Sequence, residues 1–188
     1  PGPDDTYIGY GRNWANVSNT PFREYKAHIY EGGISTPLIA HWPNGISDKN
    51  AIRKKQSLHV IDLMPTCLEL AGATYPSELK GKPITPMAGE SFVATFKADA
   101  EIKRDALYFE HSKRNAMRSG DWKIVGEKIL HKKLGPSGWE LYNIANDRSE
   151  MHNLAAEYPE RVQAMHAKYM AWAEEAKVLP LPSGGKKK

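Results

Sequence analysis

From Pro159 to Lys177, apolar side chains recur at spacings of three and four: Val162, Met165, Tyr169, Trp172 and Ala176. A single stripe of that period predicts an amphipathic helix. Pro159 suits its first turn, and Pro180 lies just beyond its end. Upstream of this helix the period changes. Ala106 to His111, Asn115 to Arg118, Trp122 to Val125 and Glu140 to Ile144 are short strand-like runs separated by turn residues. Ser119-Gly120-Asp121 marks a tight hairpin between the second and third, and Pro136-Ser137-Gly138 punctuates before the fourth. Successive short strands followed by a helix predict a small antiparallel sheet with the helix covering one face.

The first half of the chain is less regular. Residues 1 to 35 are rich in Gly, Asn, Pro and aromatics without a sustained period, the pattern of loops around a site. Thr36 to Trp42 is expected to form a short buried strand ended by Pro43-Asn44-Gly45, with His41 as a satisfied core residue. Leu58 to Leu70 has helical spacing: Asp62 is placed to cap it, Pro65 fits its first turn and Gly72 ends it. Cys67 lies in that pattern and is the single cysteine, so it is expected to be a small buried hydrophobe, and no intrachain disulfide exists. Residues 73 to 88 form a Pro- and Gly-rich connector. Glu90 to Lys97 predicts a short helix with Phe92, Val93 and Phe96 on one side.

Composition narrows the class. With 188 residues, 40% of them hydrophobic and 26% charged, the chain can bury a substantial core and matches no disordered composition. No apolar run approaches a membrane span. The net charge of +4 is nearly all tail, because Lys186, Lys187 and Lys188 supply three of those charges. The remaining basic clusters lack the interleaved aromatics of a base-stacking platform, so no nucleic-acid partner is expected. The chain opens on Pro1-Gly2-Pro3 with neither a methionine nor a leader pattern, and is expected to be a fragment or a processed product. Dinucleotide, P-loop and zinc-spacing motifs are all missing, and no metal ligands are assigned.

The chemistry concentrates between Ser18 and Pro43. Lys26 stands beside Arg23, two tyrosines and His28, and is followed by Glu31-Gly32-Gly33. Paired glycines before a strand allow positive φ and let another group approach the backbone closely. A cation beside such a turn is suited to grip an anion. The competing reading is that Lys26 pairs with Glu24 or Glu31 on the surface. His28 and Glu31 have the spacing of a helical metal pair, but the glycines argue against a helix there. Glu31 is expected to order the loop or pair with a neighbour.

The K-x4-E-G-G-x-x-x-P pattern from Lys26 to Pro37 resembles the formylglycine-dependent sulfatases. Further landmarks of that family follow in order: Ile61-Asp62-Leu63-Met64-Pro65-Thr66, Arg118-Ser119-Gly120-Asp121-Trp122-Lys123, and Glu140-Leu141-Tyr142-Asn143. Asp147, Glu150, Asn153 and Leu154 complete a D-x-x-E-x-x-N-L turn. The stretch Glu110-His111 through Asn115-Ala116-Met117-Arg118 resembles the family's E-H-x-x-x-N-A-x-R segment, with Ser-Lys-Arg where a glutamate and glycine are common.

The resemblance implies an α/β fold. It is the C-terminal part of an alkaline-phosphatase-like sulfatase fold, with a small antiparallel sheet packed against a C-terminal helix. The implied parts are the end of the catalytic domain over 1–100 and a C-terminal sheet subdomain over 101–180, and the Gly- and Lys-rich end is expected to be a disordered basic tail over 181–188. The implied activity is hydrolysis of aryl or carbohydrate sulfate esters. Lys26 would be the catalytic sulfate-binding lysine, and His111 a substrate contact. Formylglycine and a divalent metal of calcium type are implied for the parent enzyme, with neither bound by this chain. Cys67 lacks the C-x-P-S-R context of the nucleophile, so the nucleophile would lie upstream, and the chain's implied partners are the upstream part of the same catalytic domain and a small-molecule or glycan sulfate ester. The isolated chain is then expected to be inactive. A nonenzymatic anion- or glycan-binding module, a structural subdomain and a phosphatase-superfamily relative remain open. Such enzymes are exported to the periplasm or outside, or reside in lysosomes, and Asn16-Val17-Ser18 is formally a glycosylation sequon.

Overall fold

The computed structural model describes residues 3–5, 9, 11–48, 51–54 and 56–179. The basic tail expected over 181–188 lies outside them. In chain order the regular elements begin with α1 (Gly11–Val17), α2 (Glu31–Ile34), a 3-10 turn over Val60–Asp62 and α3 (Leu63–Ala71). A two-residue pair, β1 (Glu78–Leu79) and β2 (Lys82–Pro83), precedes a second 3-10 turn at Val93–Phe96. Then follow β3 (Leu107–His111), β4 (Arg114–Ser119), β5 (Trp122–Glu127), α4 (Ile129–Lys132), β6 (Glu140–Asn143) and α5 (Pro159–Glu175). The described residues fall into two compact units, one within 1–37 and 106–188, the other within 38–105.

The first unit is built on an antiparallel meander, β3-β4-β5-β6. Its register sets Met117 opposite Ile124 and Ile124 opposite Leu141, so these three share a face with Tyr108. Against that face α5 lays Val162, Met165, Tyr169 and Ala173, all buried. Tyr108 stacks flat on Trp172 with ring centroids 4.9 Å apart. The buried Asn115 amide is answered on both sides: it donates to the Tyr169 hydroxyl at 3.0 Å and accepts from the amide of Ile129 at 3.1 Å. The expected α/β architecture, an antiparallel sheet packed by the C-terminal helix, is the one observed.

Because side chains alternate along a strand, the other face carries Phe109, Ala116, Lys123, Val125, Glu140 and Tyr142. A second small core forms there around Ile29, Ala116, Val125, Tyr142 and Ile144. The loop containing Lys26 therefore covers the face that the helix leaves open.

Several expectations for residues 36–97 need correction. Thr36 to Trp42 forms no strand, and Leu38, Ile39, His41 and Trp42 are exposed. A strand persists only when a neighbour satisfies its backbone, and among the described residues none pairs with this one. Cys67 is exposed, not buried. It shares α3 with Leu63, Met64 and Leu70, which are also exposed, so the helix's apolar side chains have little cover within residues 38–105. Asp62 makes no side-chain cap to α3. Instead its buried carboxylate accepts from the amides of His59 (2.7 Å) and Glu90 (3.0 Å) and pairs with Arg104 at 2.7 Å. The helix expected over 90–97 is a single 3-10 turn, Val93–Phe96. Gly72 does end α3, at φ 62°.

Candidate functional site

Residues 23 to 33 fold into a loop closed at its neck. The Gly32 amide donates to the Arg23 carbonyl at 2.9 Å, and the His28 amide donates to the Tyr25 carbonyl at 3.0 Å. Glu24 (φ 66°) and Ala27 (φ 75°) take the left-handed turns, while the paired glycines keep negative φ. The glycines serve close approach instead. A Cβ on Gly32 would lie 2.2 Å from the Glu24 carbonyl oxygen, and one on Gly33 would lie 2.1 Å from that of His28. No side chain fits at either position.

Lys26 is exposed at the tip of this loop. Among the described residues its ammonium has no ion pair, so the surface pairing with Glu24 or Glu31 does not form. Glu24 faces His28 at 3.5 Å, and Glu31 points into the interior. Two further cations reach the tip. Arg12 donates to the Tyr25 hydroxyl at 3.2 Å, and Arg114 donates to the Ala27 carbonyl at 3.2 Å.

His111 ends β3 and is exposed. Its cross-strand partner is Arg114, and the intervening Ser112 (φ 50°) and Lys113 (φ 73°) form a tight two-residue turn. Arg114 thus brings the end of the β3–β4 hairpin to the residue next to Lys26. No hydrogen bond or ion pair joins His111 to Lys26, and His28 stays outside the α2 turn that begins at Glu31.

The neck is strapped to the sheet by polar groups that pattern reading treated only as landmarks. Arg23 lies 4.2 Å above the Tyr30 ring and donates to the Tyr142 hydroxyl at 3.2 Å. Tyr30 and Tyr142 each donate to Oε2 of Glu140 at 2.7 Å. Burial, reinforced by the Glu140 carboxylate, pushes both phenols well above their usual range, so they remain donors.

Beneath them lies a charged cluster. Glu31 is 2% exposed and Lys123 fully buried, with Oε1 and Nζ 3.0 Å apart. The Lys123 ammonium also lies 2.8 Å from Oε1 of Glu150, outside hydrogen-bond angles, and the Glu31 amide donates to Oε2 of Glu150 at 2.6 Å. Arg148 approaches Oε2 of Glu31 at 3.5 Å and donates to the Ser35 hydroxyl at 2.8 Å. Burial opposes ionisation of Glu31, but Lys123, with Arg118 and Arg148 behind it, holds this carboxyl below its usual range. Burial pushes the Glu150 carboxyl up, against the pull of Lys123. One buried ammonium serves two carboxylates unequally.

The D-x-x-E-x-x-N-L turn now has a physical reason for each of its three polar residues. Asp147 accepts from the amides of Met151 (2.9 Å) and His152 (2.8 Å), and Glu150 turns back at φ 56° to reach the loop. Asn153 accepts from the amide of Leu141 at 3.0 Å and ties the turn to β6. Sequence reasoning missed Lys123, Glu150, Glu140 and Tyr142 as members of the site. The available signal was Lys123 itself, a charge on a strand whose neighbours are apolar on both faces.

Among the described residues no group of three or more His, Cys, Asp or Glu side chains is placed to hold a metal. Cys67 sits on α3 without the nucleophile's sequence context, so this chain has no fit for formylglycine either. What it offers is an exposed cation on a rigidly seated loop, beside two arginines and a histidine-bearing hairpin. That arrangement can bind an anion.

The class follows from relatives that are sulfatases by name. An uncharacterized sulfatase of Schizosaccharomyces pombe is 28% identical over 181 residues, covering 95% of this chain and 32% of its own length. A sulfatase of Formosa agariphila is 30% identical over 180 residues, covering 88% of this chain and 32% of its own. Arylsulfatase K of Xenopus laevis is 26% identical over 175 residues, covering 92% and 32%. The chain thus spans about a third of the length of these curated relatives. It belongs to the N-sulphoglucosamine sulphohydrolase C-terminal family, whose model matches residues 24–175, from the lysine loop to the end of α5.

Proposed function

We propose that this chain is the C-terminal part of a sulfuric ester hydrolase acting on aryl or carbohydrate sulfates, and that Lys26 is its sulfate-gripping cation. The carrying observation is Lys26 itself: exposed, without an ion pair among the described residues, at the tip of a loop seated by buried charge. In sulfate ester hydrolysis a nucleophile attacks sulfur, the S–O bond to the leaving group breaks, and negative charge grows on the leaving and sulfuryl oxygens. A cation fixed before the reaction stabilises that charge without reorganising. His111 lies at the hairpin end beside the loop tip, where it would meet the organic part of the substrate. The nucleophile and metal would come from upstream sequence of the same catalytic domain, which would also cover the exposed Leu63, Met64, Cys67 and Leu70 side chains.

In the full-length enzyme, Lys26→Ala is expected to lower turnover of an aryl sulfate by about 100- to 1,000-fold, the scale of losing one preorganised donor. Unchanged turnover would reduce this region to a structural subdomain. Residues 1–188 alone are expected to hydrolyse nothing, and turnover by that pure chain would overturn the division of labour.

A further inference from the structure

We infer that Glu31 is a positioning residue for Lys26, locked by Lys123 and Glu150 from beneath and by Arg148 from the solvent side. The inference rests on the reading of Lys26 as the sulfate-binding cation and adds the device that aims it. A lysine on a loop carries considerable rotational freedom, so its value as a preorganised cation depends on how firmly its backbone is held. Here four residues separate Lys26 from Glu31, and Glu31 sits where the loop neck meets the sheet. Both its ends are engaged: the amide by Glu150 at 2.6 Å and the carboxylate by Lys123 at 3.0 Å. Lys123 comes from β5 and Glu150 from the turn after β6, so two separate parts of the sheet frame fix one residue.

Arg148 completes the lock. Its guanidinium spans Oε2 of Glu31, the Ser35 hydroxyl and the Phe22 ring, 4.6 Å from the ring centroid. It therefore bridges the residues just before and just after the loop. Buried charge is an expensive way to hold a surface loop, because a hydrophobic anchor of similar volume is often at least as stable. What the charged lock supplies over an apolar anchor is a directional constraint on the neck. None of Glu31, Lys123 or Glu150 is open to solvent, so none can touch substrate itself.

The test is a double-mutant cycle in the full-length enzyme with an aryl sulfate substrate. Glu31→Gln keeps side-chain volume and leaves Lys123 paired with Glu150. Arg148→Gln changes a residue whose side chain is about half exposed and is compatible with folding. Melting temperatures accompany both. Glu31→Gln is expected to lower kcat/KM by about 10- to 100-fold, the cost of an ångström-scale displacement of a catalytic group, and Arg148→Gln by a smaller factor. In the Lys26→Ala background each is expected to add less than about a twofold loss, since the group they aim is gone. Equal fold-losses in both backgrounds would show a general structural role and overturn the inference, as would full activity of both variants. If Lys26→Ala itself leaves turnover intact, the sulfate-binding reading fails and the inference fails with it. Loss with Lys26→Ala but not with Glu31→Gln or Arg148→Gln overturns the positioning role alone. Should Glu31→Gln not fold, Arg148→Gln decides by the same criterion.

Discussion

The sheet unit and residues 38–105 are held together in opposite ways. Behind the sheet, Met117, Ile124, Leu141, Val162, Met165 and Tyr169 form one continuous apolar core, and a second core lies beneath the lysine loop. Among the described residues of 38–105 the buried positions are Asp62, Pro65, Thr66, Phe92 and Thr95, of which Phe92 is the one large hydrophobe. A polar lock does the holding there: Asp62 gathers the amides of His59 and Glu90 with Arg104, while the Thr66 hydroxyl accepts from the Phe92 amide at 3.1 Å. Meanwhile Leu38, Ile39, Leu63, Met64 and Leu70 face solvent. The apolar pattern in that segment is sound, but its partners are not among the described residues. Where the chain supplies both sides of a packing interface, pattern and structure agree.

The largest effect that sharpens this contrast is expected from Lys123→Met. Removing the ammonium leaves Glu31 and Glu150 buried and facing each other, which costs about 3–5 kcal/mol. Urea unfolding of the chain measures it, and a loss under about 1 kcal/mol would mean that the cluster is more hydrated than its burial implies. Next come paired truncations of the two units. Ile124→Ala removes a fully buried side chain from the sheet core and is expected to cost about 2–5 kcal/mol. Leu63→Ala removes an exposed one and should stay within about 0.5 kcal/mol in this chain. Equal costs for the two would erase the distinction.

The smallest expected effect is in acid. Glu31 has its pKa held below the ordinary 4.5, so its contribution is present above that value and is lost as pH falls through the folded-state pKa. Glu150 has its pKa raised, so its protonated form is favoured by folding, and stability from it declines as pH rises through a value above 4.5. Unfolding measured from about pH 3 to about pH 7 should therefore show a shallower acid-side slope in Glu31→Gln, with Asp147, also held below its usual range, supplying part of what remains. A variant whose slope matches the parent chain would place the acid sensitivity elsewhere.

How much was legible in the sequence follows the same division. The four strands and the last helix came out within a residue or two, because local alternation and the 3.6 period are satisfied inside one unit. The strand at 36–42 and the burial of Cys67 and His41 did not, since periodicity reports an apolar face without saying what covers it. At the site, Lys26 was legible from its motif. Its supports were not: Lys123 and Glu150 lie 92 and 119 residues from Glu31, and only the register of the sheet brings them together. The glycine pair was legible for close approach, but not for positive φ, which Glu24 and Ala27 adopt instead.

The central claim is that the Lys26 loop is as much a part of the sheet core as the strands themselves. Native-state hydrogen exchange on this chain tests it most directly. The amides of Glu31 and Gly32, bound to Glu150 and to the Arg23 carbonyl, are expected to exchange with the protection of β4 and β5 and far more slowly than the amides of residues 38–42. Exchange of Glu31 and Gly32 as fast as those open segments would contradict it.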